Sequence, residues 1–176
     1  MKEQSGVDKV ITCQIDVPAS LTAVWHAWTT EEGAQCFLAP KCKIDLKPGG
    51  NYEMLFDPDA ETGKQGGEGM IVLAVQSKRM LAFTWNAPPH LPSVRSQMTH
   101  VVVRMFETKN DETRVVLRHD GWGEGKEWEE AFQYFSRAWP DVVLRRLKYR
   151  FEKGPIDWSN PPTFSESSNG LPNKRD

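Results

Sequence analysis

The chain has 176 residues, 39% hydrophobic and 26% charged, which suits one globular domain with a sizeable core. A net charge of −2, with the 22 basic residues dispersed, excludes the basic footprint of a nucleic-acid-binding protein. No apolar run reaches the roughly 20 residues that span a bilayer, and the opening Met1 to Gly6 lacks the apolar core of a signal peptide. Cys13, Cys36 and Cys42 are odd in number and without CxxC spacing, so a reduced, cytoplasmic protein is expected. His26, His90, His100 and His119 show no HxH or HxxxH spacing, and Cys36 with Cys42 lacks two further ligands. Neither a metal nor a cofactor is implied.

Lys9, Ile11, Cys13, Ile15 and Val17 alternate with a second set and predict a strand with one buried face, stopped by Pro18. Ser20 stands as a helix cap before Leu21, Val24, Trp25 and Trp28, whose spacing is helical. Thr30 caps a short second helix ending near Phe37 or Leu38, and Pro40 returns the chain to extended structure. From Lys41 to His119 the pattern is one of hairpins. Pro48-Gly49-Gly50 is a turn, after which Tyr52, Met54 and Phe56 share a face. Residues Asp57 to Gly67 form a polar loop or hairpin tip. Met70 to Val75 is an apolar strand in which a bulge fits as well as strict alternation. Leu81, Phe83 and Trp85 point inward in the next strand, and Pro88, Pro89 and Pro92 stiffen the connection from Asn86 to Gln97. Val101, Val103 and Met105 point inward again, and Asn110-Asp111 is the tight turn into the last strand, where Val115, Leu117 and His119 share a face.

Gly121, Gly123 and Gly125 end that strand. Trp128, Phe132, Phe135, Trp139, Val143, Leu147 and Phe151 then recur at spacings of three and four, a stripe too wide and aromatic for a helix facing solvent. A curved antiparallel sheet gripping this helix meets the demand and tends to leave a cavity between the two. Pro140 lies inside the helix and should bend it, which would let Trp128 to Trp139 tilt and admit a ligand. Arg145, Arg146, Lys148 and Arg150 fall on the outer face of the helix and read as solvated. From Gly154 onward, prolines with Ser and Asn imply an extended or partly disordered tail, pinned in its first part by Ile156, Trp158 and Phe164. The domain is therefore read as 9–153, between a flexible amino terminus, 1–8, and a tail, 154–176.

The order of strand, two short helices, six strands and long helix resembles the helix-grip fold of the START-like superfamily, also called SRPBCC. Val17-Pro18-Ala19, Val24-Trp25-His26-Ala27-Trp28-Thr29, Phe37-Leu38-Ala39-Pro40 and Pro48-Gly49-Gly50 carry the resemblance. Leu81-Ala82-Phe83-Thr84-Trp85, Thr113 to Leu117 and His119-Asp120-Gly121-Trp122 continue it. Within the superfamily the chain is similar to the branch homologous to the carboxy-terminal domain of the heat-shock-protein ATPase activator. The resemblance implies an α+β helix-grip fold: a curved antiparallel sheet wrapped around a long carboxy-terminal helix, with two short helices after the first strand. It spreads over several functions, because the superfamily includes lipid carriers, hormone receptors, aromatic cyclases and chaperone regulators. Two departures stand out. Cys36 occupies a position where the family often has tryptophan, and Pro140 interrupts the long helix.

No catalytic constellation is present: there is no GxSxG, no Walker loop and no GxGxxG in its expected context. Gly66-Gly67-Glu68-Gly69 leads into a strand and cannot present helix amides to a phosphate. The expected function is binding of a hydrophobic or aromatic small molecule between sheet and helix. The expected wall is Met54, Phe56, Phe83, Trp85, Val101, Val103, Met105, Leu117, Phe132, Phe135 and Trp139, with His119 as the polar anchor. A different class of reading is a protein-interaction module acting on a chaperone or another protein. A third is a cyclase or hydrolase using the same cavity. Monomer and homodimer fit equally.

Overall fold

Alternation stopped by a proline gives β1 (Ile11–Val17), and the helical spacing after it gives α1 (Leu21–Thr29) and α2 (Glu31–Gln35). The computed structural model describes residues 8–165, so the readings made for residues 1–7 and 166–176 lie outside the described residues. Both caps form: Ser20 Oγ accepts the Ala23 N–H (3.2 Å), and Thr30 Oγ1 accepts that of Gly33 (3.0 Å). Gly33 is where the two helices touch. A Cβ there would stand 2.3 Å from the His26 carbonyl oxygen, so the close approach needs glycine.

Next come β2 (Lys41–Ile44), β3 (Tyr52–Leu55) and the two-residue β4 (Gly66–Gly67), which pair antiparallel as a small sheet. Then follow β5 (Val72–Gln76), β6 (Met80–Trp85), β7 (Thr99–Lys109) and β8 (Glu112–Asp120). With β1 they make a five-stranded antiparallel sheet of order β1-β8-β7-β6-β5. The register runs from Ile11 opposite His119 to Val17 opposite Thr113, which joins the first strand to the last. The inward set is buried throughout: Val101, Val103, Val115, Leu117, Leu81 and Phe83 are fully enclosed. The apolar strand does carry a register shift, between Val72 and Ala74. Asp111 takes the left-handed backbone (φ 56°) that the turn between β7 and β8 requires.

The connection from Asn86 to Gln97 is not wholly extended. It contains a one-turn helix, α3 (Pro92–Arg95), with Pro92 in its first turn, where the missing N–H costs nothing. Leu91 and Val94 are buried there against Trp128 and Ala131, a second small core beside the main one.

The long helix runs as α4 (Lys126–Ala138), a π-helical turn over Trp139–Val143, and α5 (Leu144–Lys153). It persists through Pro140 by widening. The Leu144 N–H reaches the Trp139 carbonyl, five residues back, so the proline's missing donor falls inside a turn that no longer follows the α pattern. Leu144 and Leu147 stay in the core beyond it.

The basic outer face of α5 differs from the solvated face expected. The tail folds over it: Arg146 lies 5.2 Å from the Trp158 ring centre and Arg145 lies 6.0 Å from that of Phe164. Ile156 is buried and its N–H donates to the Cys36 carbonyl (2.9 Å), while Trp158 Nε1 donates to the Gln35 carbonyl (2.7 Å). The tail thus docks beside Cys36, where a smaller side chain leaves room. Burial pushes the Cys13 and Cys42 thiols up to about 12, which fits packing groups and not nucleophiles.

Candidate functional site

His119 ends the inward set of β8 and is fully buried, as its alternation implies. Its surroundings are closed. Trp139 Nε1 donates to Nδ1 (2.9 Å), which fixes the proton on Nε2, and Nε2 in turn faces Thr99 Oγ1 at 2.6 Å. The Thr99 hydroxyl passes its own proton to the Trp85 carbonyl (3.0 Å). The chain of bonds links the long helix to β8, β7 and β6. Burial, aided by the nearby His100, pushes the His119 pKa down to about 3, so the ring is neutral and both nitrogens are engaged. Phe135 and Trp122 pack against its faces, with ring centres 5.2 and 4.2 Å away.

Around this network the space between sheet and helix is filled. Tyr52 stacks on Phe83 (4.3 Å between centres), and Trp85 meets Trp139 (5.0 Å). Met54, Phe83, Val101, Val103, Met105 and Leu117 belong to that packed core, and among the described residues none of them borders a cavity between sheet and helix; Met105 touches only a separate surface cavity beside Arg79 and Arg104. Phe132 is half-buried against Trp122 (5.5 Å), also away from the cavities described below. The expected central container is therefore solid at its middle, because the aromatic rings from helix and sheet interlock there. Phe56, Trp85, Phe135 and Trp139 are placed otherwise: they meet where the end of β6 faces the helix.

There the protein has a two-lobed groove. One lobe, of about 260 Å³, runs from Phe56, Trp85 and Phe135 toward Gln65, Asn86 and Arg95. The other, of about 280 Å³, continues past Trp139, Val142 and Val143 to Arg146. Phe56, Trp85, Tyr134 and Phe135 wall both lobes. Phe56 lies just beyond the end of β3 and Tyr134 on α4, and they are 42% and 44% exposed, so their rings stand at the rim above buried Trp85 and Trp139.

Gly66 lines the first lobe with a left-handed backbone (φ 138°), and a Cβ there would strike the Met54 carbonyl oxygen at 2.6 Å. Its own carbonyl is thereby turned to Asn86 Nδ2 (3.0 Å) and to the Arg95 guanidinium (2.6 Å). Arg95 is a strut. It also donates to the Gly63 and Ala87 carbonyls and pairs with Glu68 (3.4 Å), which leaves its charge answered within the protein.

Tyr134, Asn86, Arg95, Val142 and Arg146 were not among the site residues expected from sequence. Tyr134 and Val142 fall one position off the buried stripe and read as outer-face residues. The signal available was an aromatic and an apolar side chain, each one position off the buried stripe. Among the described residues no group of three His, Cys, Asp or Glu side chains could hold a metal ion, and no helix is long and apolar enough to cross a membrane.

A curved antiparallel sheet packed on one long helix, with two short helices after the first strand, defines a helix-grip protein of the START-like superfamily. The chain belongs to the family of Activator of Hsp90 ATPase homolog 1-like proteins, whose profile matches residues 18–152. Among solved structures it is similar to protein MLL2253 of Mesorhizobium loti, with 16% identity and a TM-score of 0.65 over 84% of this chain and 100% of that one. It is similar to the Aha1 dimer of Colwellia psychrerythraea, with 20% identity and a TM-score of 0.62 over 83% and 98% of the two chains. It is also similar to PFC0360w of Plasmodium falciparum, described as an HSP90 activator, with 14% identity and a TM-score of 0.61 over 83% and 96%. At these identities the likeness concerns the fold. No curated protein matches the chain in sequence.

Proposed function

We propose that the protein binds a flat hydrophobic small molecule in the groove where the end of β6 faces the long helix. One observation carries this reading: Phe56, Tyr134 and Val142, three of the large apolar side chains that the surface exposes, all border this one groove. Scattered exposed apolar residues need no explanation, but several converging on a concave, aromatic-walled site do. The lobes, about 260 and 280 Å³, are each at the small end of ligand sites and together suit a ligand of one to three fused rings. Trp85 and Trp139 line the groove and serve as reporters. Titration with a panel of aromatic hydrophobes should therefore give a saturable change in tryptophan fluorescence. Tyr134→Ala should weaken it about tenfold, the order expected for loss of one aromatic wall. A panel without any saturable response would sink the reading.

A protein-interaction role has its own observation. Ile71 and Leu73, together with Leu46, are exposed at 37%, 40% and 37%, and the first two flank the edge of β5. The family description and the Hsp90-activator neighbour make a chaperone the first partner to test. Pull-down and ATPase stimulation should both weaken in Leu73→Lys if that edge docks a partner. A reaction inside the fold gains no support from His119, whose nitrogens are both committed.

A further inference from the structure

Arg146 closes the second lobe of the groove, and it is the one guanidinium there without an acceptor. Its Nε is buried with no hydrogen-bond partner, and the side chain makes no hydrogen bond or ion pair among the described residues. A guanidinium carries five N–H donors in a planar fork, and the buried Nε–H left unmet is costly. The guanidinium lies over the face of Trp158, 5.2 Å away, and Trp158 is itself held by the Gln35 carbonyl. The cation is thus set in place by the tail but not neutralised. Burial lowers its pKa from the usual value, which shows the environment working against the charge.

The two ends of the groove differ. Arg95, at the far end, is answered by three carbonyls and by Glu68, and Asp57 lines that lobe as well. A negative group there would meet the Asp57 carboxylate, and Lys64, which also lines that lobe, is exposed and already paired with Glu61 (2.9 Å). At the other end Asp141 shares the neighbouring surface cavity with Arg146 but forms no ion pair with it and does not line the groove. An anion in the groove is therefore best placed at the Arg146 end.

We propose that the ligand is a flat hydrophobic monocarboxylic acid whose carboxylate pairs with the Arg146 guanidinium while its apolar body lies across Trp85, Phe135 and Tyr134. This rests on the small-molecule reading above and adds the chemical class. The planar carboxylate matches the guanidinium fork with two parallel hydrogen bonds. A single half-buried cation balances a single negative charge; a doubly charged phosphate would carry an unanswered charge into an apolar site.

Calorimetric titration with naphthoate and with the neutral, equally sized naphthylmethanol tests this. Wild-type protein should bind the acid about tenfold or more tightly than the alcohol, the order of a charge-assisted hydrogen bond. In Arg146→Met, which keeps the stem and removes the charge, the ratio should fall to about one. Arg146→Lys should restore only part of it. Equal affinities in the wild type would overturn the acid preference and leave the groove reading intact. An acid preference that survives Arg146→Met would overturn the role of Arg146. Saturable binding of neither compound would remove the groove reading and this inference with it. Should Arg146→Met fail to fold, Arg146→Lys is read alone, and an unchanged ratio there overturns the pairing.

Discussion

His119 shows how much one side chain depends on partners far away in sequence. Thr99 and Trp139 each stand 20 residues from it, one on either side, and together they commit both ring nitrogens. Its inward direction was legible from alternation along β8. The partners were not, since strand pairing and helix docking bring them there. A pH dependence follows. The folded pKa, about 3, is depressed below the ordinary value of 6.5, so the unfolded chain takes up a proton that the folded protein refuses. The stabilising contribution is fully present above about pH 6.5 and is lost as pH falls toward 3. The slope approaches about 1.4 kcal/mol per pH unit. Urea denaturation across that range should show the loss in the wild type and a flatter acid limb in His119→Gln. At pH 7 the same substitution should cost about 1–3 kcal/mol through imperfectly met partners. Parallel pH profiles for the two proteins would contradict the assignment of a neutral, buried ring.

At the scale of elements, periodicity carried most of the fold. β1, the two short helices with their Ser20 and Thr30 caps, β6 to β8 and the aromatic helix all lie where spacing puts them. What escaped is short or irregular. α3 is a single turn whose proline reads as a loop signal, β4 is two glycines, and a π turn has no sequence period of its own. Pro140 was legible as a disturbance but not as this one. In an ordinary α-helix interior a proline costs about 3 kcal/mol relative to alanine. The widened turn has already absorbed the missing donor, and Leu144 and Leu147 anchor the register after it. Pro140→Ala should therefore stabilise the protein by less than about 1 kcal/mol in urea denaturation. A gain near 3 kcal/mol would mean that the turn relieves nothing. Phe135 walls the groove just before this turn and Trp139 is the turn's first residue, so stopped-flow association of naphthoate with the same variant measures whether tilting of Trp128 to Trp139 governs entry.

Over the whole molecule, the twelve-residue stretch from Gly154 to Ser165 acts as a clasp between α2 and α5. Composition marked it as extended, and Ile156, Trp158 and Phe164 marked its anchors, but nothing in the sequence said which surface they meet. Ending the chain at Gly154 removes a buried Ile156 and the hydrogen bonds to the Gln35 and Cys36 carbonyls. Burial of one such side chain is worth about 1.5–3 kcal/mol. With the hydrogen bonds, thermal unfolding should shift down by roughly 5–10 °C. A shift under about 2 °C would show the clasp to be ornamental to stability. The central container was the least legible feature of all, because inward-facing positions say nothing about whether the rings between two layers interlock.

The pairing of β1 with β8 has a consequence for how the chain is made. Asp16 meets Arg114, its bidentate partner, across 98 positions of sequence. On a ribosome adding about 5–20 residues per second, the first strand to emerge waits on the order of five to twenty seconds for the strand that will receive it. Throughout that interval the apolar side of β1 has no sheet to join. The helices α1 and α2, being local, can form at once and sit beside it. Newly made protein is thus most exposed to association while β1 is still unpaired, an exposure that ends once the hairpin of β7 and β8 has cleared the exit tunnel.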